Sequence, residues 1–189
     1  MNTTAVHWLG RSTIIAATAA LLAACAGDAS LAPERRVAAG ASRTVELGQC
    51  DTLAVPAGHK LAAHTYAEGV QIYRWNGAEW VFAGPEADLF SDAAGTDLVG
   101  THFGGPTWRS NSGSEVKATV LKRCPAGPNA IPWLLLGATY SDGPGIFDGV
   151  THIQRVNTAG GTAPVGAGSY VGEEKREPYT AEYFFYRAQ

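Results

Sequence analysis

The sequence predicts an all-β fold, an antiparallel β-sandwich or barrel with Gly/Pro-rich loops and little helix beyond a signal peptide. The 189 residues include 23 glycines and 10 prolines, while charged residues make up only 16%. Such a turn-rich composition is typical of all-β domains. Short apolar runs recur between turn signals, and no segment keeps the 3.6-residue period of an amphipathic helix.

The clearest local signal is a β-hairpin. Two alternating runs, Val70–Trp75 and Ala78–Ala83, flank Asn76-Gly77, the dipeptide favoured in two-residue type I′ turns. This turn places Arg74 opposite Glu79 as a cross-strand ion pair. One uncharged face then carries Gln71, Tyr73, Trp75, Trp80 and Phe82. An aromatic face without charge predicts core packing, and a carbohydrate-stacking platform is the alternative.

Further strands are predicted at Lys60–Tyr66, Leu98–Phe103, Trp108–Lys122 (a hairpin turning at Asn111–Gly113), Ile131–Tyr140, Val150–Asn157 and Tyr179–Arg187. Together with the first hairpin they predict a single all-β domain over residues 43–189. No internal repeat of fixed period and no second domain are indicated.

The N-terminal region predicts export and anchoring. Ser12–Ala24 holds 13 uncharged residues, too few to span a bilayer but typical of a secretory signal peptide over residues 1–24. Leu-Ala-Ala before Cys25 resembles a bacterial lipobox, which predicts a lipidated Cys25 and a flexible tether over residues 25–42. Ala26 resembles the outer-membrane pattern, if the host has two membranes. Ordinary secretion with an unmodified Cys25 is the alternative.

Charge limits the partners. Removing the signal peptide, whose one charge is Arg11, leaves 13 basic and 17 acidic residues. An acidic chain without a Lys/Arg cluster argues against nucleic acid and against electrostatic attachment to a membrane surface. The partners expected are the membrane through the lipid anchor and a small-molecule or glycan ligand. Oligomeric state is not indicated.

The remaining cysteines form an even pair. With Cys25 assigned to lipid, Cys50 and Cys124 are left in an oxidising compartment, which predicts a disulfide between them. Two free buried thiols are the alternative. Metal binding lacks a CxxC or CxxH spacing.

Few polar residues stand out as ligand-binding candidates. His102 precedes Gly104–Pro106, where glycines admit a ligand or form a tight structural corner. Alternation along Val150–Asn157 places Gln154 and Arg155 on opposite faces, so at least one is expected to be partly buried and bonded to backbone carbonyls. The candidate ligand-binding residues are His102, Trp108, Gln154, Arg155 and Gln71.

No catalytic residue, metal site or cofactor is assigned. The hydrolase elbow, zincin, P-loop and EF-hand motifs are missing from the sequence. His64, His102 and His152 carry no metal-ligand spacing. The acidic residues Glu115, Asp142, Asp148 and Glu182 are expected at the surface, although a pair of carboxylates about 5–9 Å apart would support glycosidase chemistry.

Five segments resemble a known family: Val70–Tyr73, Val99–Trp108, Ile131–Leu136, Ile153–Gly161 and Pro178–Tyr186. The chain is similar from about Lys60 onward to exported proteins grouped as domain of unknown function number thirty-four fifty-five, which have no established activity. The family pattern has cysteines where this chain has Trp75 and Ala167. The joint loss implies that these two residues are neighbours, with Cβ atoms within about 8 Å.

Three functions are compatible with these observations. The first is a non-enzymatic envelope lipoprotein that binds a small molecule, glycan or protein. The second is a secreted hydrolase or lyase that acts on a polymer through His102 and an acidic partner. The third is a structural surface protein. A pocket that holds His102 together with Gln154 or Arg155 would favour the first two.

Overall fold

A computed structural model describes residues 45–189. The predicted signal peptide (residues 1–24), the lipidation of Cys25 and the tether (residues 25–42) lie outside the described residues and stay predictions. Within residues 45–189, no helix is long and apolar enough to cross a membrane.

Eight antiparallel strands form one closed barrel, which confirms the predicted all-β class and makes it a barrel. Each strand pairs with the next along the chain, and the last pairs with the first. The strands are β1 (His59–Trp75), β2 (Trp80–Phe90), β3 (Leu98–Phe103), β4 (Thr107–Ser110), β5 (Glu115–Cys124), β6 (Trp133–Asp142), β7 (Val150–Gly160) and β8 (Glu174–Ala188).

The first strand is longer than predicted, because Lys60–Tyr66 and Val70–Trp75 belong to one strand. Gly69 joins the two runs. A Cβ atom there would lie 2.2 Å from the carbonyl oxygen of Glu86 and 2.6 Å from the Ala87 Cβ. Glycine therefore permits the close approach of β2 at this point, rather than ending the strand.

The predicted hairpin register is wrong. A four-residue loop replaces the two-residue turn, so Trp75 pairs with Trp80. The cause is the Asn76 side chain, whose Oδ1 accepts hydrogen bonds from the backbone N–H groups of Ala78 (2.8 Å) and Glu79 (2.9 Å). This side-chain turn competes with the type I′ turn.

The change of register gives Arg74 a different ion-pair partner and leaves part of the aromatic face exposed. Arg74 pairs with Glu174 of β8 (3.3 Å) instead of Glu79. The aromatic residues still share a face, but the predicted core packing holds only in part, because Tyr73 is buried while Phe82 is 51% exposed.

The two ends of the barrel differ. In an up-and-down barrel, the loops that follow β2, β4 and β6 lie at one end, which we call the even end. The loops that follow β1, β3, β5 and β7 lie at the other, the odd end. At the even end, Phe147 in the β6–β7 loop is fully buried, with its ring centroid 4.5 Å from that of Phe185. Aromatic side chains thus close this end.

A short 3-10 helix, Gly48–Leu53, covers part of the outer surface. As predicted, Cys50 is disulfide-bonded to Cys124 of β5, with 5.7 Å between their Cα atoms. Leu53 and Leu135 pack beside the disulfide and are buried. The apolar run at 131–136 therefore buries both faces, one inside the barrel and one beneath the helix.

Candidate ligand-binding cavity

The odd end of the barrel contains a cavity of about 540 Å³. Its lining includes Gly105 and Pro106 of the β3–β4 turn, and Ile131 and Pro132 before β6. Four of the five ligand-binding candidates line it: Gln71, His102, Trp108 and Arg155. The volume lies within the usual range of about 300–1,000 Å³ for small-molecule sites.

Gln154 lies elsewhere, on the outer face beneath the 3-10 helix. Its Nε2 donates to the Leu53 carbonyl oxygen (2.8 Å), and its Oε1 accepts from the Tyr186 hydroxyl (2.8 Å). Both ends of the amide are satisfied within the protein, so Gln154 holds the helix against the barrel. The expectation that at least one of Gln154 and Arg155 would be partly buried and bonded to a backbone carbonyl is confirmed: Gln154 is buried, Arg155 is partly buried, and both donate to a carbonyl oxygen.

Most of the cavity wall is apolar. Leu134 and Leu136 of β6 point inward because Leu135 between them points outward, as strand alternation requires. The other apolar lining residues are Tyr73, Phe82, Ala83, Pro85, Pro106, Val120, Ile131 and Pro132. A ligand that fills this space must bury hydrocarbon surface.

His102 is a buried, neutral side chain at the cavity wall. Its Nδ1 lies 2.9 Å from the Thr107 carbonyl oxygen, which can only accept, so Nδ1 carries the proton and Nε2 is left as an acceptor. Burial lowers the pKa of His102 to about 3; the Arg155 charge adds to this lowering, whereas the Thr107 hydrogen bond opposes it. The ring stacks on Trp108 with a centroid distance of 4.3 Å. The two expectations for His102 were a tight structural corner and an approach for a ligand. The structure combines them, because His102 is hydrogen-bonded to Thr107 across the β3–β4 turn and also lines the cavity.

Among the described residues that line the cavity, the buried Nε1 of Trp108 has no hydrogen-bond partner. The side chains of Gln71 and Tyr183 instead interact with the Tyr179 hydroxyl. Burial raises the pKa of Tyr183, while the Arg155 charge and the hydrogen bonds of its hydroxyl with Tyr179 and Arg155 oppose this rise. An unsatisfied buried group costs about 1–3 kcal/mol, so the Trp108 Nε1–H is a donor that a ligand can satisfy.

Two arginines also line the cavity. Arg155 is half-buried, and its Nε (3.2 Å) and Nη2 (2.8 Å) donate to the Pro132 carbonyl oxygen. Arg123 of β5 is exposed and pairs directly with the inward-facing Leu134. No aspartate or glutamate is among the residues that line this cavity.

Sequence reasoning missed Arg123 and Tyr183. The signal for Arg123 was its position beside Cys124: once the disulfide turns Cys124 outward, alternation turns Arg123 inward. Tyr183 was hidden in an aromatic run, Tyr183–Tyr186, whose alternation places residues 183 and 185 inside the barrel. The structure adds both residues to the candidate site.

The three histidines weighed as metal ligands have different neighbours. His64 pairs with Glu182 (2.7 Å), His102 lines the cavity, and the His152 ring lies 4.6 Å from the His59 ring. Among residues 45–189, no three His, Cys, Asp or Glu side chains are grouped so as to hold a metal ion.

The segment around Ala167 lies against β1 and β2. A Cβ atom placed on Gly168 would come within 2.5 Å of the Trp75 ring, and the Trp80 Nε1 donates to the Gly166 carbonyl oxygen (3.0 Å). These contacts bring both neighbours of Ala167 to the tryptophan pair. The Cβ separation of Trp75 and Ala167 itself stays a prediction.

Comparison with known proteins gives a family and nothing narrower. No curated protein and no solved structure matches the chain. A family model described as "Protein of unknown function (DUF3455)" matches residues 56–187, which confirms the resemblance carried by the sequence segments. Because this match covers well over half of the chain, the protein belongs to the DUF3455 family.

Proposed function

We propose that this protein binds a small amphipathic molecule inside the barrel cavity. The observation that carries the proposal is the buried Trp108 Nε1, which has no hydrogen-bond partner among the described residues, in an otherwise apolar enclosure. Native interiors seldom leave such an atom unsatisfied, and a bound ligand would satisfy it. An eight-stranded barrel is wide enough to be filled by side chains or to hold one small ligand.

The alternative, a hydrolase or lyase that uses His102, has less support. General acid–base catalysis needs a group whose pKa lies near the working pH, whereas the pKa of His102 is lowered to about 3. The acidic partner that such a mechanism requires is not among the cavity residues. His102 is better suited to accept a hydrogen bond from a ligand than to exchange protons with it.

The proposal extends to location. Export through the signal peptide (residues 1–24) and lipid attachment at Cys25 would hold the barrel near a membrane, where amphipathic molecules are abundant. Mass spectrometry of the mature protein tests this: a diacylated N-terminal Cys25 supports it. An unmodified N-terminus downstream of Cys25 contradicts it.

Fluorescence titration with the uncharged probe N-phenyl-1-naphthylamine tests cavity binding. We expect saturable enhancement in the wild type and binding weakened at least about tenfold, or about 1.4 kcal/mol, in Ala83→Trp. Ala83 lines the cavity but is exposed, so the larger side chain would obstruct the site with little effect on folding. Val81→Trp is the matched control, since Val81 is exposed on the same strand and is not a lining residue. Equal binding by all three proteins would refute the proposal.

A further inference from the structure

We infer that the cavity selects a carboxylate with an apolar body, held through the guanidinium groups of Arg155 and Arg123. This inference rests on the proposed function and specifies its ligand class. The charge of the cavity lining is its first support, because the lining contains two arginines and no acidic residue.

The cavity arginines differ from the paired arginines of the barrel surface. Arg74, Arg109 and Arg176 each form an ion pair with a glutamate. Within residues 45–189, neither Arg155 nor Arg123 has a carboxylate partner within 4.0 Å. A half-buried cation without a counter-charge is costly, and an anionic ligand would supply the missing charge.

The geometry of Arg155 favours a two-oxygen acceptor. Its Nε and Nη2 already donate to one carbonyl oxygen, that of Pro132. That contact occupies the side edge of the guanidinium, and Arg155 also hydrogen-bonds the Tyr183 hydroxyl; the terminal edge, formed by Nη1 and Nη2, carries two parallel N–H donors. Two parallel donors match the two oxygens of a carboxylate.

The other polar groups and the apolar wall of the cavity set two further requirements on the ligand. Trp108 Nε1 can only donate a hydrogen bond and has no partner among the described residues, so the ligand must bring an acceptor atom to it. Around this donor, Leu134, Leu136 and Val120 require a hydrocarbon body. A polyhydroxylated sugar would bury its donors against that wall without partners.

A matched pair of competitors tests the inference. Naphthalene-2-carboxylate and the neutral naphthalene-2-carboxamide have nearly the same shape and differ in charge. Each is titrated against bound N-phenyl-1-naphthylamine at about neutral pH. We expect the carboxylate to bind at least about tenfold more tightly than the amide, and added salt to reduce this preference.

Three variants identify the groups responsible. Arg123→Gln and Arg155→Gln should each reduce the preference for the carboxylate several-fold while the uncharged probe still binds. Arg74→Gln, on β1 and paired with Glu174, is the charge control and should keep the wild-type preference. Arg123 is exposed, so its variant carries the test even if Arg155→Gln fails to fold.

The outcomes separate the two proposals. Probe binding with equal affinity for acid and amide would overturn the carboxylate inference and leave the cavity-binding proposal intact. No probe binding would refute both. Tighter binding of 2-naphthyl phosphate than of the carboxylate would also overturn the inference, because it would assign the arginines to a phosphate.

Discussion

His102 provides a test of the cavity region that uses no ligand, because its burial makes folding sensitive to acid. The ring is 3% exposed, and its pKa is lowered from 6.5 to about 3, chiefly by burial. Above about pH 6.5 the ring is neutral in the folded and the unfolded chain. As the pH falls toward 3, only the unfolded chain takes up the proton, so stability decreases across this window.

The magnitude follows from the two pKa values. At about pH 4.5 the unfolded histidine is almost fully protonated and the folded one is not. Two pH units below 6.5, at about 1.4 kcal/mol each, predict a loss of about 3 kcal/mol in unfolding free energy relative to neutral pH. This figure applies to His102 alone.

The assay compares the wild type with two variants at position 102. Urea denaturation followed by tryptophan fluorescence gives the unfolding free energy at about pH 7 and about pH 4.5 for each protein. His102→Gln and His102→Phe cannot titrate, so each should lose about 3 kcal/mol less than the wild type between the two pH values. His152, whose pKa is also lowered by burial, is present in all three proteins and cancels in the comparison. Equal losses in the three proteins would refute the assignment of His102 as a buried neutral ring.

Three further outcomes are expected. Replacing Cys50 and Cys124 by serine removes a link between residues 74 apart and should lower the unfolding free energy by up to about 4.5 kcal/mol; two titratable thiols in the non-reduced, denatured wild type would contradict the disulfide. Phe147→Ala empties the even end of the barrel and should cost about 3–5 kcal/mol while N-phenyl-1-naphthylamine still binds below the melting range; loss of binding with an unchanged melting temperature would contradict this separation. The double variant Trp75→Cys/Ala167→Cys should form a second disulfide on oxidation, seen as a loss of two thiols by mass spectrometry; two persistent thiols in the folded protein would show that the positions are not neighbours.

The sequence predicted the strands better than their register. Leu98–Phe103 was predicted with the observed bounds because turn-forming residues flank it on both sides, Gly95–Asp97 before it and Gly104–Pro106 after it. The hairpin register failed because one side chain, Asn76, accepts two backbone hydrogen bonds and enlarges the turn. Barrel and sandwich were indistinguishable because the choice depends on the pairing of β1 with β8, a long-range contact that no local pattern encodes.

The candidate site was predictable in part. His102 stood out because it precedes the glycines of Gly104–Pro106, and Arg155 because strand alternation places it and Gln154 on opposite faces; both His102 and Arg155 line the cavity. Gln154 gave the same signal but faces outward, since the 3-10 helix buries the outside of the barrel there. Arg123 was missed because a charged residue near a strand end is ordinarily solvent-exposed; its inward direction follows only from the neighbouring disulfide, which turns Cys124 outward.

A crystal structure of the protein soaked with naphthalene-2-carboxylate would show whether the barrel holds a ligand. We expect density for the naphthalene ring against Leu134 and Leu136, the carboxylate on the terminal edge of Arg155, and a ligand oxygen within hydrogen-bond distance of Trp108 Nε1. A cavity filled only by ordered water, with those polar atoms satisfied by it and naphthoate bound elsewhere or not at all, would contradict the proposed function.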